Sequence, residues 1–148
     1  MGLILTVTVL FCACDRRTVY SQFEHASETG WEKADTIDFY IPPMAESGTY
    51  REEVGLRIDT TFPFLSLTME VSQTIFPEGR QEKHTLTCPL VDKNGNMKGA
   101  GVSLFLYTFP LHDLTLNRGD SVHVSIVHCM KREIMTGVTD VGISLKKQ

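Results

Sequence analysis

The sequence predicts an all-β protein: a single antiparallel β-sandwich of about seven strands, Ig-like or jelly-roll-like, behind an N-terminal lipoprotein signal. Three observations predict it. Apolar residues after position 14 recur with a period of two. No window there carries a helical stripe. Turn residues separate the alternating segments, as in FPEGR, DKNGN and NRGDS. Strands of this length and spacing are what two packed antiparallel sheets require. With 148 residues, 42% hydrophobic and 22% charged, the chain has ordinary globular composition and enough length to bury a core without staples.

The strands follow in order. TIDFYI places Ile37, Phe39 and Ile41 on one face. EVGLRID places Val54, Leu56 and Ile58 on one face, with Gly55, Arg57 and Asp59 opposite. FLSLTMEVSQ alternates Leu65, Leu67, Met69 and Val71 with Ser66, Thr68, Glu70 and Ser72. KHTLTCPL keeps His84, Leu86 and Cys88 in phase. GVSLFLYTF is apolar on both faces and reads as a central strand, or one covered on both sides. SVHVSIVHCM aligns Val122, Val124 and Ile126, and DVGISLKK aligns Val141, Ile143 and Leu145. Residues 30–148 form the sandwich domain. Residues 14–29 read as a tether, partly ordered through Val19, Tyr20 and Phe23.

Residues 3–14, LILTVTVLFCAC, are apolar apart from two threonines. Twelve residues as a helix rise about 18 Å, too short for roughly 30 Å of bilayer hydrocarbon. A buried first strand is one reading; the apolar region of an export signal fits better. Ordinary cleavage after Ala13 would leave the bulky Phe11 at the −3 position. A lipoprotein signal explains the segment better, because the residue after its cut is a cysteine that carries a diacylglycerol. Cys14 follows Ala13 and qualifies, whereas Cys12 follows Phe11 and does not. Residues 1–13 are therefore the expected signal peptide and Cys14 the expected lipid anchor. Leu10 lies one position earlier than the usual leucine of such signals, and no basic residue precedes Arg16.

Net charge is −4 and the pI about 5.7. That balance gives no footprint for nucleic acid. Arg118-Gly119-Asp120 spells an adhesion tripeptide but reads as a tight turn. His123 and His128 lie five apart on a strand and so point to opposite faces, which argues against a shared metal. Asp92, Asn94 and Asn96 begin like a calcium loop, yet Met97 and Ser103 occupy the places of its glycine and glutamate. GAGVSLF is no nucleophile elbow; its glycines suit a bulge or close packing. No carboxylate pair, Ser/His/Asp set or phosphate loop stands out. The expectation is a protein without catalytic, metal or cofactor residues and without a small-molecule substrate. Cys88 and Cys129 are candidates for a disulfide in an oxidising compartment, worth on the order of 3–4 kcal/mol for a loop of about 40 residues. Two inert buried thiols are the default alternative.

The chain resembles the gliding-motility lipoprotein GldH family of Bacteroidetes-type bacteria. The residues that carry the likeness are CDRRTVY at 14–20, GWEKAD at 30–35, VGLRIDTTFPFLSLTMEV at 54–71, TCPLVDKNGNMKGAGVS at 87–103 and HCMKREIMTGVTDVGISL at 128–145. It departs from the family's pattern at Phe11, and at LFLYTF, where the family often has a more aromatic segment. The resemblance implies a lipid-anchored cell-envelope protein, lipidated at Cys14. It implies a non-enzymatic accessory or structural part of the gliding and type IX secretion machinery. Expected partners are the membrane, reached through the lipid, and other envelope motility or secretion proteins. Asp15 is followed by two arginines rather than by the acidic run of surface-exported lipoproteins, which favours a periplasm-facing protein. The rival reading is a lipid-anchored module that binds glycan or peptide. It requires exposed aromatics in one groove, with Trp31, Tyr40, Tyr50 and Tyr107 as candidates.

Overall fold

The computed structural model describes residues 15–148. The expected signal, Cys12 and Cys14 lie outside them. All seven alternating segments are strands. The full set is β1 (Thr18–His25), β2 (Trp31–Glu32), β3 (Ile37–Ile41), β4 (Gly48–Asp59), β5 (Ser66–Phe76), β6 (Arg80–Pro89), β7 (Leu104–Leu116), β8 (Ser121–His128), β9 (Ile134–Met135) and β10 (Val138–Lys147). They form two four-stranded sheets, ordered β1-β10-β4-β7 and β3-β8-β5-β6, and a two-residue pair, β2-β9. Every pairing is antiparallel. Set aside the two short strands and number the other eight in sequence. The sheets then read 1-8-3-6 and 2-7-4-5, which is the eight-strand, two-sheet jelly roll. Of the two sandwich types the sequence left open, the jelly roll is the one formed.

The core lies between the sheets. Val54, Leu56, Ile58, Val141 and Leu145 of one sheet face Leu67, Met69, Val71, Val124 and Ile126 of the other. These are the phases that the alternation selects.

Three expectations change. Residues 18–25 are not a tether: they pair with β10 from Thr18↔Lys146 to His25↔Asp140. The polar alternation of TVYSQFEH hides this strand, because Phe23 is its principal apolar anchor. The Phe23 ring lies over Gly142 and Gly55, which face each other across β10 and β4. A Cβ on Gly55 would come within 2.6 Å of that ring, and one on Gly142 within 2.8 Å. The Arg57 guanidinium covers the ring 4.1 Å from its centroid. An aromatic laid over strand glycines restores the packing that they forgo.

Strand β7 is an edge strand, not a central one. Its outer leucines, Leu104 and Leu106, remain exposed. Part of this edge is capped by the preceding loop, where Ala100 and Leu106 exchange both backbone hydrogen bonds. Gly99 permits the contact, since a Cβ there would meet the Tyr107 ring at 2.6 Å. The packing role read for these glycines is what the structure shows.

Cys88 and Cys129 are both free. Cys88 faces the core from β6, while Cys129 follows β8 and is exposed. Strand β5 separates β6 from β8. Two strand spacings are about 9–10 Å, beyond the roughly 7 Å that a disulfide spans between Cα atoms. The candidate pairing therefore does not form, and the default of two buried thiols holds for Cys88 alone. Burial pushes the Cys88 thiol up to about 12.

The turn readings stand. Asp92 Oδ1 accepts from the Asn94 and Asn96 amides. The 117–120 turn closes through Asn117 and Asp120. His123 faces outward and His128 inward. The His128 Nε2–H donates to the Trp31 carbonyl at 3.1 Å, and its ring meets the Trp31 indole edge-on.

Two outcomes follow. Phe23→Ala should cost about 1–2 kcal/mol through lost burial and cation–π contact, and should expose β1 to limited proteolysis ahead of the other strands. The second concerns pH. Burial pushes the His128 imidazole below its ordinary value, against the opposing pull of the Trp31 and Glu133 backbone. The unfolded chain, near its usual 6.5, then takes up the proton first. Its contribution to stability falls as pH drops below about 6.5 and levels off once the folded imidazole protonates too. His128→Gln removes this term. The stability gap between wild type and variant, measured by urea unfolding, should narrow from about pH 7.5 to about pH 5.5.

Candidate functional site

Besides His128, two polar side chains interrupt the apolar interior. Glu52 on β4 has no exposure and Gln73 on β5 is 2% exposed. Both continue the inward phase of their strands. Glu52 precedes Val54, Leu56 and Ile58, and Gln73 follows Leu67, Met69 and Val71. They face one another across the sandwich.

A third group reaches them because β7 carries a bulge. Its first half turns Phe105, Tyr107 and Phe109 inward, opposite Ile58, Leu56 and Val54. The register then slips: Glu53 pairs with Pro110, and Glu52 with His112. Leu111 is the extra residue. Beyond it the inward positions are His112, Leu114 and Leu116. With an unbroken ladder His112 would point to solvent, since a one-residue shift reverses the faces. Pro110 is tolerated there because edge strands and bulges do not need every amide.

The three side chains satisfy one another. The His112 Nε2 is 2.9 Å from Glu52 Oε2. The Gln73 amide is oriented with its nitrogen 3.0 Å from each Glu52 oxygen and its oxygen 2.7 Å from His112 Nε2. That orientation pairs donors with acceptors throughout. His112 Nε2 is therefore the protonated nitrogen, and Glu52 accepts from both neighbours. The hydrogen bond to Glu52 holds the His112 imidazole above its ordinary value, while burial opposes it; Glu82 and Asp113 reinforce the rise.

On its other side His112 meets the edge strand of the second sheet. Its Nδ1 is 3.6 Å from Glu82 Oε2, and His84 Nε2 is 3.6 Å from the same oxygen. Glu82 and His84 are two apart on β6 and share its inward face. Arg80 Nε holds the other Glu82 oxygen at 3.2 Å. His84 Nε2 is shielded from solvent and has no hydrogen-bond partner. Side-chain exposure rises from 0% at Glu52 through 19% at His112 to 28% at Glu82 and 32% at His84. The cluster thus runs from the core to the open side of the sandwich, between β6 and β7.

Sequence reasoning read only His84 of this group, as an inward residue. Glu52 and Gln73 carried a usable signal: each is a polar residue in phase with an apolar alternation. His112 carried none, because the bulge that aims it is a feature of pairing.

A second polar group lies on the outer face of β3 and β8. His123 Nε2 and Ser125 Oγ both bond Asp38 Oδ1, at 2.9 and 2.6 Å. A nucleophilic triad needs serine on one ring nitrogen and the carboxylate on the other. Here both share one carboxylate oxygen, so the set is a cross-strand clasp. Tyr40 stacks on His123 with centroids 4.6 Å apart. Tyr40 is exposed, but Trp31, Tyr50 and Tyr107 are all buried. Those four do not form the aromatic groove that the binding-module reading required. Cys14, the expected anchor, lies outside the described residues.

The family model described as GldH lipoprotein matches residues 18–145. The chain belongs to the GldH lipoprotein family. The match opens at the first residue of β1 and closes inside β10, so it takes in both sheets. A relative from Christiangramia forsetii, named a gliding motility lipoprotein GldH homolog, is 23% identical over 94% of this chain and 90% of its own. The gliding motility lipoprotein GldH of Flavobacterium johnsoniae is 21% identical, over 99% of this chain and 96% of its own. Among solved structures, a family GH115 4-O-methyl-α-glucuronidase with specificity for decorated arabinogalactans aligns at a TM-score of 0.49 with 14% identity. That alignment covers 91% of this chain and 18% of the enzyme, and no residue role transfers from it.

The bulge makes a sharp prediction. His112→Ala, which removes the side chain that the bulge turns inward, should leave the buried Glu52 without it, a loss of about 3–5 kcal/mol. Leu111→Ala keeps the bulge and should cost well under half as much. Urea unfolding of the two variants measures the difference.

Proposed function

We propose that the protein is a lipid-anchored component of the cell envelope, held at Cys14 and facing the periplasm. In this reading it serves a gliding and type IX secretion-associated machine as a non-enzymatic accessory part. The observation that carries the reading is membership of a lipoprotein family across the whole sandwich, joined to an apolar segment that ends at Ala13-Cys14.

The fold sharpens what such an anchor does. Because β1 begins at Thr18, only Asp15, Arg16 and Arg17 separate Cys14 from the first sheet. Fully extended, that spacer reaches about 13–14 Å. The sandwich is then a fixture of the membrane face rather than a domain on a long leash. Such confinement raises its effective concentration around envelope partners. Three acyl chains hold far more firmly than one.

The reading predicts that detergent-extracted protein has the mass of residues 14–148 plus three acyl chains, and that Cys14→Ala lacks those chains. A strain deleted for the gene should lose colony spreading or secreted proteins. An acylated protein whose deletion leaves both unchanged would keep the anchor and reject the role.

A further inference from the structure

The Glu82, His84 and His112 side chains form a ligand set that the family reading does not use. One ligating atom from each lies within 4.8 Å of the other two. We propose that this cluster is a binding site for a single borderline divalent cation of the zinc class, which clasps the β6 edge of one sheet to the β7 edge of the other.

Four features of the geometry point to it. First, the Glu82 oxygen stands 3.6 Å from both His84 Nε2 and His112 Nδ1. Ligand atoms arranged tetrahedrally about a zinc at roughly 2.0–2.1 Å are about 3.4 Å apart. Those two spacings need only a few tenths of an ångström of closure, and the two ring nitrogens lie within 4.8 Å of each other. Second, the His112 ring presents the correct nitrogen. Its Nε2–H is committed to Glu52 and to the Gln73 oxygen, which leaves the Nδ1 lone pair directed at the cluster. A carboxylate that receives the far N–H of a ligating imidazole is the usual outer partner of a metal-bound histidine. Glu52 occupies that place, fully buried. Third, His84 Nε2 is sheltered from solvent yet hydrogen-bonds to nothing. A sheltered ring nitrogen without a partner calls for an explanation, and a metal would satisfy it. Fourth, Arg80 holds Glu82 Oε1 and so aims Oε2 inward as a single-oxygen ligand.

The donor chemistry selects the ion. Two imidazoles and one carboxylate suit zinc, nickel or copper(II), whereas calcium and magnesium want oxygen alone. His84 and Glu82 are about one-third exposed, so ions reach the site from solvent and a water can complete the tetrahedron. The two sheets have no backbone hydrogen bond between β6 and β7, whose neighbours are β5 and β4. A cation there joins the two free edges on one side of the jelly roll, where backbone pairing cannot.

The test uses the full-length protein in detergent, stripped with a chelator and titrated with Zn²⁺ alone. Calorimetry should show one site per chain with a dissociation constant at or below the micromolar range. Thermal unfolding should shift upward with zinc and not with calcium. His84→Ala and Glu82→Gln alter partly exposed positions on an edge strand and should keep the fold. Each should weaken zinc at least tenfold. Glu52→Gln should weaken it by about 10–100-fold through the orientation of His112. X-ray absorption of the zinc-loaded protein should report two imidazoles in its coordination. Three results would overturn the proposal: no saturable binding up to millimolar zinc, equal affinity in wild type and both edge-strand variants, or a coordination shell without histidine.

Discussion

A carboxylate with no solvent exposure sits in the middle of an apolar sandwich, and the structure around Glu52 follows from the need to satisfy it. Burying such a group without partners costs several kcal/mol. Glu52 meets that cost with an amide from the opposite sheet and an imidazole from the neighbouring strand. The imidazole is available only because β7 inserts one residue before it. The bulge, the proline beside it and the inward turn of His112, Leu114 and Leu116 are therefore parts of one device. It ties β4, β5 and β7 together at a single level of the core.

The jelly roll sets where that device opens. Two strands at each end of the sheets are edges: β1 and β7 in one, β3 and β6 in the other. The β7 and β6 edges lie on the same side, so the polar layer that begins at Glu52 emerges there, through His112 to Glu82 and His84. The opposite edge strand, β1, lies next to the expected lipid anchor in sequence. Strand β1, next in sequence to the expected anchor, and the polar cluster thus lie at opposite edges of the β1-β10-β4-β7 sheet.

Much of this fold was legible in the sequence, and the failures share a cause. Alternation located seven strands and most of the core, because each has one buried face. Strand β1 was hidden, since Gln22 and Glu24 on its core-side phase are polar and its one strong anchor, Phe23, packs on glycines of the outer face rather than on the core. Strand β7 misled in the other direction: apolar residues on both faces suggested a central strand, while the loop through Ala100 is what partly covers its edge. The choice between sandwich topologies depends on which strands pair, which alternation does not encode. The candidate cluster divides in the same way. Glu52, Gln73 and the Glu82-x-His84 pair lie in phase with buried positions and could be read as polar residues in core places. His112 could not, because a bulge changes phase without a local sequence mark. Cys88 and Cys129 show the limit of spacing arguments: only the strand order shows that β5 stands between them.

The account rests on the coupling of Glu52 to His112 inside the sandwich, and a double-mutant cycle measures that coupling most directly. Glu52→Gln, His112→Gln and the double variant would be unfolded in urea beside the wild type in metal-free buffer. The account predicts a coupling energy of more than about 1 kcal/mol between the two positions. Additivity within about 0.5 kcal/mol would contradict it. Such a result would mean that the two side chains do not meet in the core and that the β7 bulge does not aim His112 as described.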